Sequence, residues 1–140
     1  MSWDSYIDNI IAQSKDAIGT SNVDKACIIG LENGAPWTTS ANPNNFELVG
    51  SEGPNLAQCM KSKNFTPLQS GGIHLGKTKY QFLREEDGKL VLGKRKECGA
   101  VTIQSSKTAI VIAHCPEGGQ QGNANKAVSA VAEYLESLNM

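Results

Sequence analysis

Between Ile73 and Ala113 the chain repeats one short pattern five times: Ile73-His74-Leu75, Tyr80-Gln81-Phe82-Leu83, Leu90-Val91-Leu92, Ala100-Val101-Thr102-Ile103 and Thr108-Ala109-Ile110-Val111-Ile112-Ala113. Each run is rich in the branched and aromatic residues that suit a pleated sheet, and only a few residues, Asp87-Gly88 among them, separate one from the next. A parallel connection needs a crossover of about a dozen residues or more. Linkers this short therefore predict an antiparallel meander.

Two amphipathic segments bracket the strands. At the amino end Trp3, Tyr6, Ile7, Ile10 and Ile11 fall at i, i+3, i+4, i+7 and i+8, with Ser2 as a candidate cap and Asp4 at the positive end of the helix dipole. At the carboxyl end Asn125 to Asn139 reads as a second helix, with Val128, Val131, Leu135 and Leu138 as its stripe and Tyr134 on the shoulder. Ala26-Cys27-Ile28-Ile29-Gly30-Leu31 predicts a strand and Glu32-Asn33-Gly34 a turn, which puts Trp37 early in a second strand. The stretch 46–61 has weaker helical spacing interrupted by Gly53-Pro54, so it reads as two short helices or a helix and a loop. Thr66-Pro67-Leu68-Gln69-Ser70 is a poor central strand because of its proline. The class is α/β in the mixed, α+β sense: one domain over residues 1–140, with a central antiparallel sheet flanked by helices.

Composition enters to exclude. The chain carries 13 Lys and Arg against 14 Asp and Glu, a formal charge of -1 that gives no nucleic-acid signature. Its basic residues are uneven: seven of them (Lys77, Lys79, Arg84, Lys89, Lys94, Arg95, Lys96) lie within 77–96 against Glu85, Glu86 and Asp87, a local surplus suited to an acidic partner. The amino terminus lacks a basic region before an apolar run, and no apolar stretch approaches the roughly 20 residues of a membrane span. Cys27, Cys59, Cys98 and Cys115 form no C-x-x-C pair, so a zinc site is not expected and the thiols are expected to be reduced, in the cytosol. No metal or cofactor is called for.

One motif asks for chemistry. Residues 71–78 satisfy G-x-x-x-x-G-K-[ST], which would make a nucleotide-binding enzyme of the chain with Lys77 and Thr78 on phosphate and magnesium. The context argues against it, since the middle residues alternate as a strand does and a β-rich run follows Thr78 where a phosphate loop needs a helix. His114 and Cys115 are adjacent on an expected strand and so point to opposite faces, which prevents cooperation as base and nucleophile.

The aromatics carry more. Trp3 and Tyr6 on one terminal helix, Tyr134 on the other and Trp37 nearby would gather if those helices pack side by side on the sheet. Proline-rich ligands present ring faces and carbonyl acceptors without N–H donors. Trp and Tyr offer flat walls that also donate hydrogen bonds, which Phe does not. The bland alternative is a scaffold in which these rings are merely buried.

These residues together resemble the profilin family over essentially the whole chain. The likeness rests on Ser2-Trp3-Asp4-Ser5-Tyr6-Ile7-Asp8, Trp37, Gly72-Ile73-His74-Leu75-Gly76 with Lys79-Tyr80, Gly93-Lys94-Arg95-Lys96, and Gly122-Asn123-Ala124-Asn125-Lys126 leading to Tyr134-Leu135. It implies terminal helices on one face of the sheet and smaller ones on the other, in a cytoplasmic, monomeric protein of the cytoskeleton. The implied partners are monomeric actin, proline-rich proteins such as formins, and phosphatidylinositol 4,5-bisphosphate. The implied proline groove is Trp3, Tyr6, Trp37, Tyr134 and Met140, where many members end in an aromatic. The implied actin contacts are Lys79, Phe82, Arg84, Lys94, Arg95, Gln120, Asn125, Lys126 and Ser129, and the lipid contacts are Arg84, Lys94, Arg95 and Lys96. Family members bind one end of an actin monomer, favour exchange of its nucleotide and deliver it to a growing filament.

Overall fold

A computed structural model describes residues 3–140. Ser2, the expected cap, lies outside them. The elements are α1 (Ser5–Gln13), β1 (Lys25–Gly30), α2 (Glu52–Ser62), α3 (Thr66–Gly71), β2 (Ile73–Leu75), β3 (Thr78–Glu86), β4 (Leu90–Arg95), β5 (Gly99–Ser105), β6 (Ala109–Cys115) and α4 (Gln121–Ser137). The strands form one sheet in the order β1-β6-β5-β4-β3-β2, every neighbouring pair antiparallel. All five strands expected after Gly72 are present.

Alternation along the central strands sorts side chains into two cores. Cys27 and Ile29 of β1 with Ile110 and Ile112 of β6 face Leu56, Met60 and Leu68 of α2 and α3. Ala26 and Ile28 with Val111 and Ala113 face Ile7 and Ile10 of α1 and Val128, Val131 and Leu135 of α4. Because both faces are covered, β1 and β6 read as continuous apolar runs. A slip of one residue would exchange the two cores, so register is tightly specified.

Three expectations need correction. Trp37 does not begin a strand: an isolated bridge joins Pro36 to Ile29, and Trp37 itself lies in a loop whose N–H donates to the Ile28 carbonyl at 2.8 Å. Over 46–61 the helix-and-loop alternative is the one observed, but Gly53-Pro54 is not the interruption: it sits in the first turn of α2, where a proline's missing N–H costs nothing. Thr66–Gly71, expected to make a poor strand, is indeed not one: the same tolerance makes it a helix, with Pro67 at its start. The last helix begins at Gln121, four residues before the expected Asn125.

The phosphate-loop motif is a hairpin turn. Gly76 and Lys77 take φ of 59° and 67° between the paired residues Leu75 and Thr78, as a two-residue turn of the I′ kind requires. Their N–H groups donate to the Glu52 carboxylate at 2.8 and 2.9 Å. The anion held there is the protein's own, and a strand follows where a phosphate loop needs a helix. All four cysteines are free thiols, with Cys98 alone exposed. Among the described residues no helix is long and apolar enough to cross a membrane.

Candidate functional site

Packing α1 against α4 brings the aromatics together. The spacing that buries Ile7 and Ile10 completely leaves Trp3 and Tyr6 half-buried at the helix margin, and on α4 Tyr134 remains 52 % exposed beside buried Val131 and Leu135. The rings form a continuous file: Trp37 to Trp3 at 4.8 Å, Trp3 to Tyr6 at 5.2 Å and Tyr6 to Tyr134 at 6.4 Å between centroids. A cleft of about 410 Å³ opens between the two helices, lined by Ser5, Tyr6, Asn9, Gln13, Ala130, Val131 and Tyr134.

Among the described residues neither indole N–H nor either of these two phenols makes an intramolecular hydrogen bond, while the ring faces pack on the α1/α4 core. Burial, with the neighbouring Tyr134, raises the Tyr6 pKa, so its hydroxyl stays protonated and able to donate. The file therefore offers apolar ring faces and unused donors together. Trp37 is also shaped from below: a Cβ on Gly30 would lie 3.1 Å from the indole Nε1, so this position keeps the ring down by having no side chain. Met140 packs on the same core, and its carbonyl oxygen accepts from the hydroxyls of Ser106 at 2.9 Å and Thr108 at 2.8 Å. All five residues expected to form the groove thus lie on one side of the sheet.

The basic residues divide. Arg84, Leu92 and Thr102 are cross-strand partners in one row, and the Thr102 hydroxyl donates to Asn125 of α4 at 2.6 Å. Lys94, paired with Gln81, points to this same face. Ser129 donates to Gln104 at 2.7 Å, so Asn125 and Ser129 both tie α4 to β5. Gln120 and Lys126 are exposed near the start of the helix. Phe82 instead packs against the α2/α3 core, and Arg95, next to Lys94 along the strand, alternates to that side, its guanidinium donating to the Lys79 carbonyl at 3.1 Å. The expected actin contacts therefore span both sides of the β3 edge, which the register shift between Phe82 and Arg84 bends.

A second cleft of about 410 Å³ wraps that edge. Lys79, Lys94, Arg95 and Lys96 line it together with the end of α3, and no carboxylate does. Of the four residues expected at a lipid head group, Lys94, Arg95 and Lys96 line this cleft beside Lys79, and Arg84 is not among its lining residues.

The geometry is matched by kinship. The Profilin family model matches residues 1–140. A profilin of Heliocidaris crassispina is 69 % identical over 140 residues, covering the whole of both chains. Profilin II of Acanthamoeba castellanii superposes with a TM-score of 0.80 at 32 % identity over 99 % of this chain and 100 % of its own. Mouse profilin IIa, solved in complex with a double repeat from the FH1 domain of mDia1, shares the fold with a TM-score of 0.72 at 21 % identity over the whole of both chains. With the sheet, both helical layers and the full length in agreement, the chain belongs to the profilin family.

Proposed function

We propose that this profilin binds monomeric actin and proline-rich segments on separate surfaces, acting by binding and not by a covalent step, in the cytoplasm at the actin cytoskeleton. The observation that carries the proline site is the file of Trp37, Trp3, Tyr6 and Tyr134 with its unused donors. A polyproline helix has three residues per turn and bare carbonyls, so its rings lie on the aromatic faces while the indoles and phenols donate to its backbone. Met140 extends the apolar floor, since its thioether conforms to a proline ring. Proline-rich regions of formins fit this chemistry, and mouse profilin IIa holds an FH1 double repeat.

Actin is assigned to Lys79, Phe82, Arg84, Lys94 and Arg95 with Gln120, Asn125, Lys126 and Ser129, whose basic members suit an acidic partner. There the protein favours exchange of the nucleotide that actin holds. Phosphatidylinositol 4,5-bisphosphate is assigned to Arg84, Lys94, Arg95 and Lys96, the last three in a cleft whose clustered cations without carboxylates attract its phosphates. Shared use of Lys94 and Arg95 makes actin and lipid compete.

Titration with decaproline while recording tryptophan fluorescence tests the proline site, because Trp3 and Trp37 are the chain's two tryptophans and both lie in the file. A saturable change is expected. No change at millimolar peptide would overturn the assignment.

A further inference from the structure

Asp4 sits at the start of α1, where an aspartate ordinarily accepts from the first helical amides, yet its carboxylate makes no such bond. It reaches 35 residues along the chain instead. Oδ1 accepts from the Thr39 N–H and Oδ2 from the Thr39 hydroxyl, both at 2.6 Å, a two-point grip by one charged group. Asn42, buried in the same loop, donates to the Asp4 carbonyl and to Asp8 Oδ1, each at 3.1 Å.

The partners are placed tellingly. Asp4 follows Trp3 by one residue and Thr39 follows Trp37 by two, so the grip joins the two segments that carry the stacked indoles. On its other side the loop is held by backbone bonds to Ile28 and by the Thr38 hydroxyl, which accepts from the Ile28 N–H. Those bonds fix Trp37 to β1. They do not fix it to α1 and the turn before it, which carry Tyr6 and Trp3, and the polar bonds that span this gap among the described residues come from Asp4, Asp8, Thr39 and Asn42.

We infer that Asp4 and Thr39, supported by Asn42, are positioning residues for the proline groove: they set the spacing of Trp37 against Trp3 without touching the ligand themselves. The inference rests on the proposed proline site. A file of rings accepts a rigid three-residue-per-turn ligand only if its members are already spaced for it, since a loop that must be ordered on binding costs affinity. Asp4 does stand at the helix start, as its place in the sequence suggests, but no local pattern signals its reach to Thr39.

The test compares wild type, Asp4→Ala, Asp4→Asn and Thr39→Val by decaproline titration, thermal unfolding and the 19F spectrum of protein labelled with 5-fluorotryptophan. Because Asp4 is not bonded to its own helix amides, Asp4→Ala should fold. It should bind decaproline about five- to tenfold more weakly, the cost of restoring order to one loop. Asp4→Asn keeps an acceptor oxygen and should lie between the two. The Trp37 signal should shift or broaden in the unliganded Asp4→Ala and Thr39→Val proteins while melting temperatures stay close to wild type. Failure of wild type to bind decaproline would sink the proline site itself. Wild-type binding with unchanged affinity in both Asp4→Ala and Thr39→Val, or weakened affinity with an unmoved Trp37 signal, would overturn the positioning role. Should Asp4→Ala not fold, Thr39→Val decides, since it removes one hydroxyl and keeps the side chain's shape.

Discussion

His114 shows how a residue that looked like a candidate nucleophile's neighbour is committed to structure. Its Nδ1 meets Asp24 Oδ1 at 2.6 Å and its Nε2 meets the Cys98 carbonyl at 2.7 Å, and since both partners accept, the doubly protonated ring satisfies both. Burial alone would lower its pKa, and Lys25 opposes the charge as well, but the hydrogen bond and charge of Asp24 with the Cys98 carbonyl outweigh them and hold it above the ordinary 6.5. Asp24 is held below 3.8, its own burial outweighed by His114. The histidine's contribution to stability is therefore full below pH 6.5 and lost as pH rises through its folded value, whereas the aspartate's is full above pH 3.8 and lost as pH falls through its own. Urea unfolding of His114→Gln should show a deficit of about 1 kcal/mol, discounted for solvent because the Asp24 side chain is 45 % exposed. That deficit should be widest between those two folded values and shrink on both sides; a deficit independent of pH would contradict the ion pair. The thiols make a second residue-scale prediction. A thiol reagent should modify exposed Cys98 promptly and reach Cys27, Cys59 and Cys115, whose pKa values burial raises, only as the protein unfolds.

Among the elements, those with a clear period were legible in the sequence. The meander was readable because each run alternates or is uniformly apolar and each linker is too short to cross over, and the terminal helices because Ile7, Ile10, Val128, Val131 and Leu135 mark one face. Trp37 was misplaced because Thr38 and Thr39 resemble strand residues, whereas their hydroxyls bond a neighbour in space: Thr38 to Asn45 at 2.7 Å and Thr39 to Asp4. The helix at Thr66–Gly71 was missed because proline is hostile in a strand and harmless in a first helical turn. That the aromatics gather was legible from residue type and from the helical spacing of Trp3, Tyr6 and Tyr134, but their support was not: Gly30 under Trp37 and Asp4 on Thr39 act across distances that no local pattern encodes. The helical layer yields a contrast. Ile10→Ala, in a fully buried position, should lower unfolding free energy by about 2–5 kcal/mol through lost burial and a residual cavity. Tyr134→Ala, at a position 52 % exposed, should leave the unfolding free energy within about 0.5 kcal/mol of wild type while weakening decaproline binding severalfold.

At the scale of the molecule the sheet works as a rigid spacer. The aromatic file lies where α1 and α4 meet the β1 side of the sheet, and the basic cleft wraps the opposite, β3 edge. Strand β6, apolar along both faces, sits between the two cores and fixes their relation. Two ligands on such a body need not compete, and a proline tract linked to a filament-assembly factor would present bound actin at high effective concentration. Both surfaces should therefore be occupied at once on one chain. This is tested most directly by passing monomeric actin over immobilised polyproline with and without this protein. Actin should be retained only when the protein is present, in equal molar amount, and Trp3→Ala should abolish retention of both. Actin that elutes the protein from the resin, or flows through while the protein stays bound, would contradict it.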